Sequence, residues 1–238
     1  MGLFFHCEGL SVTDNIAGFI DVGYLKAEGA RVLGTNANSV RLEASRVVQW
    51  FRQETRVDES LRRFLRAYWY DGAFDPSHRN YESQRRYFDA IAFTPGIQVR
   101  LGHLAERPSR IRVAMLNALR NTASGMGVNP DELVEEFNKN WTFYPERHQK
   151  GVDTLITLDM VRLASRSAFD RAILIAGDRD LAEAIRTVQD YGVTVTVATP
   201  NRVSVANEIL QIADEVRVIS SGDLTGMLSF VRDGDSPE

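Results

Sequence analysis

Residues 172–181 constrain the fold of this chain more than any other stretch. The apolar residues 172–176 predict a buried strand, which stops at Gly177 and is followed by Asp178 and Asp180 where a helix is predicted to begin. In an open α/β sheet, ligands bind outside the carboxyl ends of the strands. Carboxylates at such a point are well placed to hold a hard cation such as Mg²⁺ or Mn²⁺.

A second strand, near the start of the chain, ends in the same way. The apolar residues 16–20 lead directly into Asp21. Two strand ends that each carry an aspartate indicate a binding site more strongly than one such strand end does. Together they predict that acidic side chains from distant parts of the sequence meet at one edge of a sheet.

Strand and helix patterns alternate along the chain, which indicates an α/β fold with a mostly parallel sheet. Strands are predicted at about 16–21, 64–70, 97–104, 171–176, 193–198 and 215–219. Helices are predicted at about 39–55, 79–93, 151–167, 179–191 and 204–213, the first of them capped by Asn38 or Ser39.

Residues 109–147 interrupt this alternation and predict two helices. The second begins at Asn129 as its cap, with Pro130 at the first helical position. The segment is too short to bury a core of its own, so we expect a helical insertion that flanks the acidic edge. Arginines in and beside the insertion are expected to help shape a substrate groove: Arg107, Arg110 and Arg112.

The domain boundaries expected are an N-terminal extension at 1–15, a single domain at 16–220 and a C-terminal tail at 221–238.

The composition narrows the class of protein. A chain of 238 residues with 44% hydrophobic residues can bury a sizeable core, and a net charge of −4 gives no global basic field of the kind that attracts nucleic acid. The lone Cys7 excludes an intramolecular disulfide and a thiolate zinc site, and it is compatible with a cytoplasmic location. Residues 1–8 lack the features of a signal peptide, and no run of about 20 apolar residues predicts a membrane span.

Four acids form the predicted metal site, and each also has a simpler interpretation. They are Asp21, Asp153, Asp178 and Asp180. Clustered carboxylates repel one another, so a fold that assembles them needs a cation to offset the cost. Alternatively, Asp178 or Asp180 caps a helix and Asp21 is a turn residue. Asp159 and Asp71 are assigned to supporting or structural positions, since Asp159 falls on a different helix face from Asp153 and Asp71 ends the second predicted strand.

Four stretches of the chain resemble the NYN domain family, a branch of the PIN-like nucleases. They are GFIDVGYL at 18–25, KGVD at 150–153 running to TLDM at 157–160, IAGDRDL at 175–181, and YGVTV at 191–195. The resemblance implies a Rossmann-like, PIN-like sheet with helices on both faces. It also implies an aspartate cluster that binds Mg²⁺ or Mn²⁺ and RNA cleavage by a metal-activated water. The cluster carried over is Asp21, Asp153, Asp178 and Asp180, with Lys150, Arg179 and Tyr24 as substrate-binding residues.

The chain departs from the family pattern at two positions. Tyr24 stands where the family often has asparagine, and Ala176 stands where it often has serine. Both changes remove a polar group but leave the carboxylates in place. The resemblance therefore predicts a metal-dependent endoribonuclease, with a catalytically silent RNA-binding or scaffold protein on the same fold as the alternative.

Other acidic α/β folds fit the sequence less well. A haloacid-dehalogenase-like phosphatase needs a second aspartate two residues after the first, where this chain has Gly23. A Toprim-like domain needs a glutamate after its first strand, and a receiver domain needs an aspartate at the end of its third. Partner surfaces for a homo-oligomer or another protein are expected at residues 3–5 and on the helical insertion.

Overall fold

The computed structural model describes residues 14–55, 62–107, 110–141 and 146–230. Its strands are β1 Asp14–Asp21, β2 Val40–Leu42, β3 Arg62–Ala73, β4 Ile97–Arg107, β5 Glu146–Lys150, β6 Arg171–Ile175, β7 Thr194–Thr199, β8 Glu215–Val218 and β9 Leu228–Phe230. Seven of them form one sheet in the order β5-β4-β3-β1-β6-β7-β8, in which β5 runs antiparallel to β4 and the other neighbours are parallel. The α/β class and the mostly parallel sheet predicted from the sequence are thus confirmed.

Helices cover both faces of this sheet. They are α1 Val22–Val32, α2 Ala44–Glu54, α3 Tyr81–Ala92, α4 Arg110–Met126, α5 Pro130–Asn140, α6 Val152–Ala164, α7 Ala182–Asp190, α8 Asn207–Ile212 and α9 Ser221–Met227. Side chains alternate between the two faces of a strand, so Ile16 and Ile20 of β1 join a core with α1, α2, α3 and α9, whereas Ala17 and Phe19 join a core with α6, α7 and α8. None of the helices in the described ranges combines the length and apolar character needed to span a lipid bilayer.

The predicted helix over 39–55 is wrong in its first third. Val40–Leu42 is the strand β2, which pairs antiparallel with β9 about 190 residues away. The helix α2 then begins at Ala44 after the N-cap position Glu43, so neither Asn38 nor Ser39 caps it. A pairing between such distant segments leaves no local mark in the sequence, and β-branched Val40 fits a strand as readily as a helix.

Two further elements before residue 220 were not predicted. The helix α1 contains Gly23 and Gly29, which lower its helix propensity. The strand β5 consists of polar residues and lies at the edge of the sheet. Gly29 is buried where a Cβ would lie 2.9 Å from Leu228 Cδ1, so a small residue is needed for the α1–β9 contact.

The order in which strands are added to the sheet reverses beside β1. From β1 it adds β3, β4 and β5 on one side, and then returns to place β6 on the other side of β1 before continuing to β7 and β8. The loops after β1 and β6 therefore lead to opposite sides of the sheet and open a crevice between them. Crevices at this topological switch point are the usual ligand sites of open α/β sheets.

The insertion extends beyond the same edge. Asp21 is level with Tyr70 of β3, which is level with Arg100 of β4, yet β4 continues to Arg107, roughly 23 Å further at about 3.3 Å per residue. There it pairs with β5, and α4 and α5 lie between the two strands in the chain. The prediction that 109–147 is mostly helical is confirmed. Ordered structure also continues past residue 220, since α9 and β9 follow.

Candidate functional site

Two aspartates stand at the carboxyl ends of neighbouring parallel strands. Asp21 ends β1, and Asp178 follows β6 after Ala176 and Gly177. Both also cap helical segments: Asp21 Oδ1 accepts the Tyr24 N–H at 3.0 Å, and Asp178 Oδ1 accepts the Asp180 N–H at 3.0 Å. The capping interpretation is therefore correct in geometry, but it is compatible with a binding role because a capping carboxylate keeps further lone pairs.

Asp153 and Asp180 interact electrostatically with these two aspartates. The pKa of Asp21 is raised to about 6, mainly by burial and in part by the neighbouring carboxylates of Asp153 and Asp178. The pKa of Asp153 is also raised, first by burial and then by the charges of Asp178 and Asp180. Like charges disfavour the ionised form. The four acids thus lie close enough to repel one another.

The carboxylates do not form a ready-made coordination sphere. In the described part of the chain, no three His, Cys, Asp or Glu side chains are placed to hold a metal ion together. The donors available at this edge are carboxylate oxygens, which suit Mg²⁺ or Mn²⁺ better than a soft metal. The chemistry of the donor set therefore fits a hard divalent cation, although its binding would require the side chains to draw closer.

An open cleft lies at the switch point. It has a volume of about 560 Å³. It is lined by Asp21, Tyr24, Gln149, Gly177, Asp178, Arg179, Val203, Ser204, Val205 and Ala206. Of the predicted site residues, Asp21, Asp178, Arg179 and Tyr24 line it, whereas Asp153, Asp180 and Lys150 lie outside the lining. Asp180 and Lys150 are exposed to solvent.

Tyr24 forms one wall of the cleft, and its hydroxyl is fixed by two hydrogen-bond partners. Its hydroxyl lies 2.7 Å from Thr199 Oγ1 and 2.8 Å from Ser204 Oγ. Its ring covers Gly177, where a Cβ would lie 2.5 Å from Tyr24 Cε2 and 2.7 Å from the Ser204 carbonyl oxygen. Thr199 and Ser204 were not predicted from the sequence, because isolated hydroxyl residues form no recognisable motif.

Arg179 projects into solvent at the cleft and is tied to an acid. Its Nε donates to Glu208 Oε2 at 3.0 Å, while the side chain remains 78% exposed. Its two terminal nitrogens remain available, since a guanidinium carries five donors. Arg112 on α4 is exposed, and the side chains of Arg107 and Arg110 lie outside the described residues, as do residues 3–5.

Asp71 lies beside the cleft on β3 and is partly buried. Its Oδ1 accepts the Gly72 N–H at 2.7 Å and the Gln149 Nε2–H at 2.8 Å. Burial raises the pKa of Asp71 to about 6, with Asp21 adding to the shift and Lys26 opposing it. Gln149 of β5 was not identified from the sequence, because β5 itself was not predicted.

Asp159 is in a different environment. It is buried, and its carboxylate accepts from Arg100 Nε at 2.9 Å, Arg162 Nη2 at 2.7 Å and the Tyr70 hydroxyl at 3.1 Å. These contacts join α6 to β3 and β4. Its carboxylate is neutralised from within the chain, which suits a structural role.

Comparison with known proteins gives one family and a few distant relatives. The model of the NYN domain matches residues 15–220. An uncharacterized protein, y4oD, from Sinorhizobium fredii is 43% identical over 47 residues, which are 20% of this chain and 22% of that protein. The chain thus aligns with about a fifth of that curated relative.

Two solved structures align with most of this chain. A protein of unknown function from Vibrio parahaemolyticus superposes with a TM-score of 0.50 at 17% identity, covering 91% of this chain and 97% of that one. This similarity concerns the fold alone. MurG from Acinetobacter baumannii gives a TM-score of 0.35 at 9% identity over 87% of this chain and 46% of MurG, which is too low to bear on function.

Proposed function

We propose that this chain, which belongs to the NYN domain family and has its PIN-like nuclease fold, is a metal-dependent endoribonuclease. The observation that carries the proposal is the position of Asp21 and Asp178. They end neighbouring parallel strands at the topological switch point and line the same cleft. An acidic edge at that point of the sheet is where a phosphodiester and a cation would meet.

The aspartates would hold the cation and the basic residues would hold the RNA strand. Asp21, Asp153, Asp178 and Asp180 are the proposed metal-binding and catalytic residues. When bound, Mg²⁺ or Mn²⁺ supplies an activated water and neutralises charge on the phosphate. Burial is the main cause that raises the pKa of Asp21 and Asp153, and repulsion from the neighbouring carboxylates adds to it. This repulsion favours the assignment, because a cation relieves it.

Arg179 and Lys150 are the proposed phosphate contacts. Arg179 donates to Glu208 through its Nε, so its two terminal nitrogens can form a paired contact with phosphate oxygens. Lys150 is exposed three residues before Asp153. Asp71 is proposed to support the site through Gln149. Asp159 is proposed to have a structural role, holding α6 against β3 and β4 through its bonds to Tyr70 and Arg100.

A second candidate is a catalytically silent RNA-binding or scaffold protein. Two observations favour it. Tyr24 fills the place of a family asparagine with a hydroxyl already bonded to Thr199 and Ser204, and Ala176 is fully buried without a polar group. The intact carboxylates favour the catalytic candidate.

Cleavage assays on two neutralised variants test the proposal. Wild-type protein is incubated with labelled single-stranded and structured RNA, with Mg²⁺, with Mn²⁺ or with a chelator. We expect cleavage only with metal. Asp178→Asn and Asp21→Asn should each reduce the rate by about 1,000-fold or more, since a metal ion contributes several kcal/mol and each 1.36 kcal/mol is tenfold.

Thermal unfolding without metal separates a binding role from capping alone. Both variants should melt at or above the wild-type temperature, because each removes one repelling charge and Asn caps about as well as Asp. Asp190→Asn, an exposed residue on α7, is the matched control and should change neither property. Full activity in Asp178→Asn would mean that Asp178 serves only as a helix cap. A wild-type protein that cleaves no RNA with either metal would favour the catalytically silent candidate.

A further inference from the structure

Gln149 reaches the cleft from the most distant strand of the sheet. It belongs to β5, separated from β1 by β4 and β3, yet its side chain lines the cleft together with Asp21 and Asp178. A long polar side chain that crosses toward a site from an edge strand needs specific partners to hold it there, because ordering it costs conformational entropy.

Asp71 fixes the orientation of the Gln149 amide. Gln149 Nε2 donates to Asp71 Oδ1 at 2.8 Å, and that oxygen also accepts the Gly72 N–H at 2.7 Å. The reverse orientation would place the amide oxygen against the carboxylate, where no hydrogen bond can form between two acceptors. Gln149 Oε1 is therefore directed away from Asp71.

Two glycines make the space that the side chain occupies. A Cβ at Gly72 would lie 3.0 Å from Gln149 Cγ, and a Cβ at Gly23 would lie 2.8 Å from Gln149 Oε1. Gly23 is two residues after Asp21, in the first turn of α1. The amide oxygen thus lies against the first turn of α1, next to the acidic edge.

A neutral acceptor beside clustered carboxylates selects a hydrogen-bond donor. The waters of a hard divalent cation are such donors, and residues that bond to them hold the cation's ligands in place. We propose that Gln149 is a positioning residue of the proposed metal site, whose Oε1 orients a water of the cation's hydration shell. This inference rests on the proposed function and adds to it a residue that touches neither RNA nor the cation directly.

Mn²⁺ binding measured without RNA tests the inference independently of catalysis. Free Mn²⁺ is followed by electron paramagnetic resonance during titration of the protein. Gln149→Leu keeps the size of the side chain and removes the acceptor, so we expect Mn²⁺ to bind about 10-fold more weakly. Gln211→Leu, the same change at an exposed position on α8, is the matched control and should bind like wild type.

Gly23→Ala tests the position of the oxygen without removing it. The added Cβ displaces the end of the Gln149 side chain, while alanine favours the helix more than glycine does. We expect weaker Mn²⁺ binding with an unchanged or higher melting temperature, a combination that a purely structural role for Gln149 does not give.

The outcomes separate the two proposals. If wild type binds Mn²⁺ and cleaves RNA but Gln149→Leu binds Mn²⁺ as tightly as Gln211→Leu, the role of Gln149 is overturned and the nuclease proposal stands. If Gly23→Ala binds as tightly as wild type, the oxygen is not used. If wild type binds no Mn²⁺, both proposals fail.

Discussion

Two acidic regions of this molecule differ in how their charge is offset. Asp159 is buried among partners from its own chain: Arg100, Arg162 and the hydroxyl of Tyr70. Asp21 is also largely buried, but the charged groups that act on it are other carboxylates, Asp153 and Asp178. The same residue type thus stabilises the fold in one place and is destabilised by its neighbours in the other.

The difference shows which carboxylates the fold itself requires. A buried acid surrounded by cations and donors contributes to holding its elements together, and removing it leaves those partners uncompensated. An acid surrounded by acids costs stability, and the cost is offset when a cation binds. Substitutions in the two regions should therefore have opposite effects on stability and on activity.

The largest expected effect on stability is at Asp159. Asp159→Asn removes the charge that compensates Arg100 and Arg162, so we expect a loss of about 3 kcal/mol in the free energy of unfolding. Urea unfolding of the metal-free protein measures it. Metal-dependent cleavage per folded molecule should remain within a few-fold of wild type. A variant of normal stability and no activity would place Asp159 in the catalytic machinery and remove the contrast between the two regions.

The next effect is a dependence of metal-free stability on pH. The pKa values of Asp21 and Asp71 are raised to about 6, whereas in an unfolded chain an aspartate ionises near pH 4. The folded state keeps protons on these two carboxyl groups that the unfolded state has already lost, so their contribution to stability is present below about pH 4 and is lost as the pH rises through about 6. We expect the melting temperature to fall by roughly 5 °C across this window.

Added Mn²⁺ and the Asp21→Asn substitution test whether the acidic edge causes this pH dependence. Mn²⁺ should restore the melting temperature above pH 6 and have little effect near pH 4, because the cation competes with protons for the same oxygens. Asp21→Asn should flatten the metal-free profile. A melting temperature that rises between pH 4 and pH 6 would contradict this expectation, because it would mean that the folded protein favours the ionised forms of Asp21 and Asp71.

The smallest expected effect is at Tyr24, which lies at the acidic edge but serves the fold. Tyr24→Phe removes the hydroxyl bonded to Thr199 and Ser204 and should cost about 1 kcal/mol in stability. Cleavage should stay within about threefold of wild type, since the hydroxyl is already bonded to Thr199 and Ser204. A loss of activity with no change in melting temperature would instead assign the hydroxyl to the substrate.

Much of the fold could be predicted because its signals are local. Apolar runs such as 16–20 and 172–176 gave strands that the structure confirms, and the helices α3, α6 and α7 were predicted to within a few residues. The two strands β2 and β5 were not predicted, and one cause explains both. The strand β2 exists because β9 pairs with it, and β5 exists because β4 extends past the sheet edge, so neither depends on its own residues alone.

Some residues of the candidate site could likewise be predicted from the sequence, and others could not. The sequence indicated Asp21 and Asp178 because each follows a buried strand, and the structure brings both to one cleft. Gln149, Thr199 and Ser204 gave no signal, because a single amide or hydroxyl becomes informative only through its neighbours. Asp159 and Asp153 lie on one helix, and their spacing places them on different faces, but the sequence does not show that Arg100 of a distant strand meets Asp159.

By itself, the sequence determined the α/β class, the strand-end aspartates and the family, since these depend on periodicity and on motifs of a few adjacent residues. Only the tertiary structure decided the strand order, the cleft beside β1 and the separation of a neutralised acid from an uncompensated cluster. The physical reason is that burial and charge compensation are set by groups brought together across the chain. Arg100 is 59 residues from Asp159, and Asp71 is 78 residues from Gln149.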